Sequence, residues 1–228
     1  MSAEDRLIAI VGRLGIRPMA RLSLPARRLL AYLALRGGEV SRQRAADELW
    51  PDLPEEVGRS NLRRSLWQTP RGWVLTYGDT IVLEAECDLP QARRVAAQAI
   101  EGHGLTFDEI DILSQDLLPG WHEEWLLDAW EEFHVIRVQA LEAACRTFVG
   151  RGNFPLAVQA GTAALAADPL RESAAEALIE AHLAQHNRAA AQRCFEVLVA
   201  RLETEFGAPP NAALAARMAQ AGFGRRAA

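Results

Sequence analysis

Lysine is absent from the 228 residues: all 25 basic side chains are arginine. A bias so uniform is the ordinary mark of a GC-rich genome and by itself points to no site, although arginine is also the better bidentate partner for phosphate and guanine. Cysteine is scarce. Cys87, Cys145 and Cys194 are dispersed, odd in number and without a CxxC pair, a spacing that excludes zinc ribbons, dithiol redox centres and a disulfide framework. They read as small core fillers in a reducing compartment. Long apolar runs are also missing: LIAIV at Leu7–Val11 is far shorter than a signal-peptide core or the roughly 20 residues of a membrane span. No membrane attachment is therefore expected, and a cytoplasmic location follows.

Catalytic signatures are equally thin. No Walker loop, GxSxG elbow or dinucleotide-binding glycine pattern occurs, so nucleotide, acyl-transfer and hydride chemistry have no sequence support. HLAQH places His182 and His186 four apart, but it lacks the glutamate of a zinc hydrolase and has no third ligand nearby. The carboxylates from Asp108 to Asp116, and Glu123, Glu124, Glu131 and Glu132, follow helix-face spacing around Trp121, Trp125, Trp130 and Phe133. Those aromatics are expected to serve interdomain or dimer packing. Neither an enzyme nor a metal nor a cofactor is expected.

What the chain does have is apolar mass and an uneven charge. Half its residues are hydrophobic, enough for two domains, each with its own core. The formal net charge of −5 conceals a contrast: residues 1–87 hold 13 basic and 11 acidic side chains, near +2, and residues 88–228 hold 12 and 19, near −7. Composition changes at the same place, since Ala, Leu and Glu with helical periodicity take over from Asp88 onward. The expected boundary divides the chain into residues 1–86 and 87–228.

In the first part LIAIV reads as a strand, and RLSL at Arg21–Leu24 alternates as a second one would. Pro25 opens a short amphipathic helix that Gly37 and Gly38 stop. Ser41 is a good N-cap for a second helix ending before Pro51. A third helix is predicted over Glu55–Gln68, because Pro70 drives the residue before it out of helical geometry. VLTY and TIVL then flank Gly78-Asp79, a turn suited to a tight hairpin. Strands, three helices and a hairpin in that order form the layout of a winged helix. The second part holds an internal repeat: Gly150–Gly161 and Ala184–Phe195 superpose with a shift of 34, matching Asn153 to Asn187 and Ala157 to Ala191. That is the period of tetratricopeptide helix pairs. The expected fold is mainly α with a small β component, an N-terminal winged helix followed by a tetratricopeptide-like helical domain.

The stretch SNLRRSLWQTPRGWVLTYGDTIVL, Ser60–Leu83, is where chemistry gathers. Projected on a helix, Leu62 and Leu66 turn inward, while Ser60, Asn61, Arg64, Trp67 and Gln68 lie opposite and Arg59 and Arg63 point sideways. Arg can pair bidentately with guanine, and Asn or Gln with adenine, which makes Arg64, Asn61 and Gln68 the candidates for base readout. Arg59, Ser60, Arg63, Trp67 and Arg71 are the candidates for the DNA backbone. No acidic residue lies between Val57 and Gly78, so the local potential stays positive in an acidic chain.

LLAYLALRGGEVSRQRAADELWPDLPEEVGRSNLRRSL resembles the DNA-binding domain of the actinomycete-type antibiotic regulatory proteins. LLPGW (Leu117–Trp121), DPLRE (Asp168–Glu172) and FGAPPN (Phe206–Asn211), with the helices around them, resemble that family's bacterial transcriptional activation domain. The resemblance implies a winged helix of the response-regulator type joined to a helical domain used for dimerisation and for contact with the transcription machinery. It further implies double-stranded DNA as partner, with Ser60–Gln68 in the major groove, Val74–Leu83 as the wing and Pro51–Val57 facing RNA polymerase, in a protein that acts as a homodimer. Two departures accompany it: the third helix is cut short at Gln68-Thr69-Pro70, and the wing tip carries Asp79 and no arginine. A winged helix that has given up DNA for a protein partner is the alternative.

Overall fold

The computed structural model describes residues 6–222. In chain order its elements are β1 (Leu7–Ala9), β2 (Gly15–Arg17), α1 (Leu24–Arg36), β3 (Glu39–Ser41), α2 (Arg42–Leu49), α3 (Glu55–Gln68), β4 (Val74–Tyr77), β5 (Thr80–Leu83), β6 (Glu86–Cys87), α4 (Leu89–Ile100), α5 (Phe107–Ser114), α6 (Glu124–Gly150), α7 (Phe154–Ala167), α8 (Glu172–Ala184), α9 (Arg188–Phe206) and α10 (Ala212–Gln220). Two compact units share them. One takes residues 6–93 with 115–134, the other 94–114 with 135–222.

In the first unit, β1 lies between β2 and β6, antiparallel to β2 (Ile8 opposite Ile16) and parallel to β6 (Leu7 opposite Glu86). The strand expected at Arg21–Leu24 does not form. Ser23 is instead the N-cap of α1, its hydroxyl accepting from the Ala26 N–H at 3.4 Å. The second strand falls on Gly15–Arg17 and stops before Pro18, which has no N–H to extend a ladder. Leu29, Leu30, Tyr32 and Leu33 of α1 are fully buried, each such leucine contributing about 1.5–3 kcal/mol of transfer free energy. Ser41 caps α2 by accepting from the Arg44 N–H at 3.2 Å, and α3 runs over the residues expected of it. β4 and β5 close a hairpin with Tyr77 opposite Thr80, and Gly78 supplies the positive φ of the turn (+56°). β3 adds to the other edge of β5, completing a three-stranded antiparallel sheet.

Residues 115–134 belong to this unit for reasons visible in their hydrogen bonds. The Gly12 N–H donates to the Asp116 carbonyl at 2.7 Å and the Leu118 N–H to the Ile10 carbonyl at 3.0 Å, so the LLPGW segment continues the edge of the β1 strand. Trp125 packs edge-on against Tyr32 with ring centroids 5.5 Å apart. Arg28 donates through Nε and Nη2 to the Glu123 carboxylate at 2.8 and 2.6 Å, and through Nη2 to the Leu49 carbonyl at 2.9 Å. Its guanidinium also lies 5.7 Å from the Trp50 ring centroid. Trp125 and Phe133 are buried.

The second unit is built on the repeat. α6 meets α7, and α8 meets α9, through the same helix ending. The Asn153 N–H reaches the Phe148 carbonyl and the Gly152 N–H that of Val149; 34 residues on, Asn187 reaches His182 and His186 reaches Leu183, all within 2.9–3.1 Å. Both endings are Schellman motifs, which need a left-handed residue just past the helix. Gly152 takes it at φ +70°, and His186 at φ +59°. Ala157 and Ala191, matched by the repeat, are both fully buried.

His186→Gly is therefore expected to stabilise the protein by roughly 1 kcal/mol, the side-chain cost of the left-handed conformation exceeding glycine's added chain entropy. A thermal melt should show a rise of about 3 °C; an unchanged or lower midpoint would contradict it. The other member of the pair, His182, is half-buried, and burial holds its pKa below the ordinary histidine value. No group of three or more His, Cys, Asp or Glu side chains able to hold a metal occurs among the described residues.

Candidate nucleic-acid interface

α3 lies against both α1 and α2, and its inner face shows why hydropathy alone misplaces it. The buried line is Gly58, Leu62, Ser65 and Thr69. Ser65 and Thr69 are buried because their hydroxyls are satisfied locally, donating to the carbonyls of Asn61 at 3.0 Å and Ser65 at 2.9 Å. Gly58 faces α2, where even a Cβ would make only ordinary contact, 3.5 Å from the Ala46 carbonyl oxygen. Leu66 is only half-buried. The outer face is consequently turned by roughly 60° from the expected one, at 3.6 residues per turn.

This rotation sorts the candidate residues. Arg59, Ser60, Arg63, Arg64 and Trp67 are exposed; Ser60 and Trp67 lie opposite the buried line, and Arg63 and Arg64 stand about 50° to either side of them. Arg71, just beyond the helix, is exposed as well. Asn61 and Gln68 are half-buried on the flank toward the core, and Gln68 Oε1 accepts a 2.5 Å hydrogen bond from the Ser23 hydroxyl at the start of α1. Of the three residues read as base contacts, Arg64 alone is fully exposed. Arg59 pairs with Glu55 one turn earlier at 3.2 Å, an exposed pair of little energetic weight. Arg63 and Arg64 form no ion pair with any described residue.

Arg42 is a member that sequence reasoning missed. Its N–H donates to the Asp79 carbonyl at 2.7 Å and its Nε to the Gly78 carbonyl at 3.1 Å, so the first residue of α2 grips the hairpin turn. Two open concavities meet at Arg42 and Arg63. One, of about 580 Å³, is bordered by Glu56, Arg59 and Ser60; the other, of about 520 Å³, by Leu66, Trp67, Pro70, Arg71 and Val74. The only sequence signal for Arg42 was its position directly after the Ser41 cap, and the turn it holds is 36 residues away. Below the second concavity Arg6 lies against Gly72, where a Cβ would come within 2.8 Å of its Nη2, and Gly72 adopts φ +79°. A buried guanidinium and a glycine thus set the bend from α3 into β4.

A helix presenting unpaired guanidiniums, followed by a fastened hairpin, is an arrangement that can enter a DNA groove while the hairpin meets the backbone. A family profile described as bacterial transcriptional activator domain matches residues 84–221. The chain belongs to the bacterial transcriptional activator domain family. That places it among transcriptional regulators, and it confirms the resemblance carried by LLPGW, DPLRE and FGAPPN. Within this bacterial transcriptional activator domain the last two strings meet, since Glu172 Oε2 accepts from both the backbone N–H and the Nδ2 of Asn211, at 2.6 and 2.7 Å. A solved structure of Mycobacterium tuberculosis EmbR, in complex with a low-affinity phosphopeptide, is similar with a TM-score of 0.58 and 20% identity. The likeness covers 97% of this chain and 66% of the EmbR chain, and it shows a shared fold. A comparison with curated proteins finds no match. Among the described residues no helix is long and apolar enough to cross a membrane.

Proposed function

We propose that this protein is a cytoplasmic, DNA-binding transcriptional activator that places α3 in the major groove and acts as a homodimer. The observation that carries the reading is the outer face of α3. Arg63 and Arg64 stand exposed and without ion pairs to described residues, in a stretch that has no carboxylate between Gly58 and Tyr77. Uncompensated guanidiniums held on a rigid helix suit a polyanion. Arg63, exposed beside Trp67 on this face, is in position to reach a base edge, where arginine prefers guanine O6 and N7. Arg42, Arg59, Arg64 and Arg71 surround it as phosphate contacts. Asn61 and Gln68, being half-buried, act by fixing the helix. The exposed segment Pro51–Val57, the turn before α3 and the start of its first turn, is free to contact RNA polymerase.

Salt tests this reading. Four arginines neutralising phosphates give a slope of about −3.6 in log affinity against log salt, so retention of duplex DNA should fall about 10²-fold between about 50 and 200 mM salt. Fluorescence anisotropy on duplexes enriched from a random library measures it. No enrichment at low salt, or binding indifferent to salt, would sink the proposal in favour of a winged helix that serves protein contact.

A further inference from the structure

On α3 the arginines surround one large apolar side chain. Trp67 is 86% exposed, and a tryptophan left in water on an otherwise polar face marks a contact surface. It stands one turn after Arg63 and two after Arg59, roughly 6 and 12 Å along the helix axis. Opposite the buried line of Gly58, Leu62, Ser65 and Thr69, Trp67 falls near the middle of the outer face, so a helix entering a groove on that face brings its indole to the base edges. The apolar group that the base pairs display there is the 5-methyl of thymine, and it lies on the side of the base next to its own strand's backbone. Leu66, Pro70 and Val74 border the concavity on the side of Trp67 toward the hairpin, and Arg42 and Arg71 flank it. The chemistry offered is thus an apolar plate beside a base edge, with cations positioned for the neighbouring phosphates.

We propose that Trp67 is a specificity-determining residue that reads a thymine through its methyl group. The inference rests on the DNA-binding reading above but asks more of it. A tryptophan that merely touched sugar or phosphate would treat thymine and uracil alike, whereas one seated on the methyl distinguishes them. The indole N–H remains available to a phosphate oxygen, so no buried donor is left unpaired.

The test uses the intact protein and a duplex enriched from a random-sequence library at low salt, in which each thymine is replaced in turn by uracil. At one position, loss of the methyl should weaken wild-type binding about three- to tenfold. Trp67→Ala should bind the thymine duplex about tenfold more weakly and be indifferent to uracil there, while Trp67→Phe keeps part of the discrimination. Because the side chain is exposed, the variants should melt with the wild type. If DNA is enriched but no thymine differs from uracil, or Trp67→Ala matches wild type, this inference falls and the DNA-binding reading stands. Failure to enrich any duplex overturns both.

Discussion

Charge reversal at Arg63 is expected to abolish specific DNA retention while leaving the protein folded. Arg63 lies on the outer face of α3, exposed and without an ion pair to any described residue, so its replacement should shift stability by less than about 0.5 kcal/mol. Its removal alone, as Arg63→Ala, forfeits a bidentate base contact of about 1–3 kcal/mol, or roughly 5- to 150-fold in affinity, and relaxes preference at one base pair. Arg63→Glu adds a carboxylate aimed at the phosphates from the same point. Binding should then fall about 10³-fold at low salt. The control is Arg64→Ala on the flank, expected to weaken all sequences alike by about tenfold and to reduce the salt slope by about 1. Competition anisotropy against specific and scrambled duplexes separates the two patterns. Wild-type affinity in Arg63→Glu would show that α3 is not the reading helix, and a uniform loss in Arg63→Ala would return that arginine to the backbone.

The same helix shows how far the residues disclose their own arrangement. Its ends were legible because they are set locally: α3 reaches Gln68 just before Thr69-Pro70, and proline restricts its neighbour whatever the tertiary context. The hairpin was legible for a similar reason, since Gly78 alone supplies the turn's positive φ. The face was not. Hydropathy assigns Ser65 and Thr69 to water, yet both are buried once their hydroxyls bond to the carbonyl four residues earlier. This turned Asn61 and Gln68 partly inward and brought Ser60 and Trp67 to the front, with Arg63 nearer to it than expected. β3 and β6 escaped notice because they are two or three residues long and gain meaning only from distant partners, Glu39 opposite Val82 and Leu7 opposite Glu86. Arg42 belongs to the same class, as does the return of Trp125 to Tyr32. Ser23 misled in the opposite sense: alternation around it resembles a strand, but a serine two residues before proline is equally a helix cap, and the cap prevailed. The 34-residue repeat, by contrast, was legible, and its two copies end their helices with matching hydrogen bonds.

That repeat also locates the substitution expected to do the most damage to the helical unit, Gly161→Leu. Gly161 sits inside α7, where glycine is an inferior helix former, and alanine would ordinarily be preferred by about 1 kcal/mol. Its reason for being there is steric. A Cβ would stand 3.0 Å from the Cys145 sulfur on α6 and 3.1 Å from both Cβ and Cδ1 of Leu178 on α8. Cys145 is fully buried and Leu178 nearly so, and Leu178 Cβ cannot move without its helix. For Gly161→Ala the gain in helix propensity and the cost of crowding nearly cancel, and the expected change lies within about 1 kcal/mol of zero. Leucine gains no more propensity than alanine but must place three further carbons between two helices already in contact. Overpacking then prevails, at about 3 kcal/mol or more, lowering the melting midpoint of this unit by about 10 °C. Hydrogen exchange should accelerate through α7 and α8 in the same variant. If Gly161→Leu melts with the wild type, α6, α7 and α8 do not close on one another at this glycine, and the small residues of the repeat must be explained in some way other than helix approach.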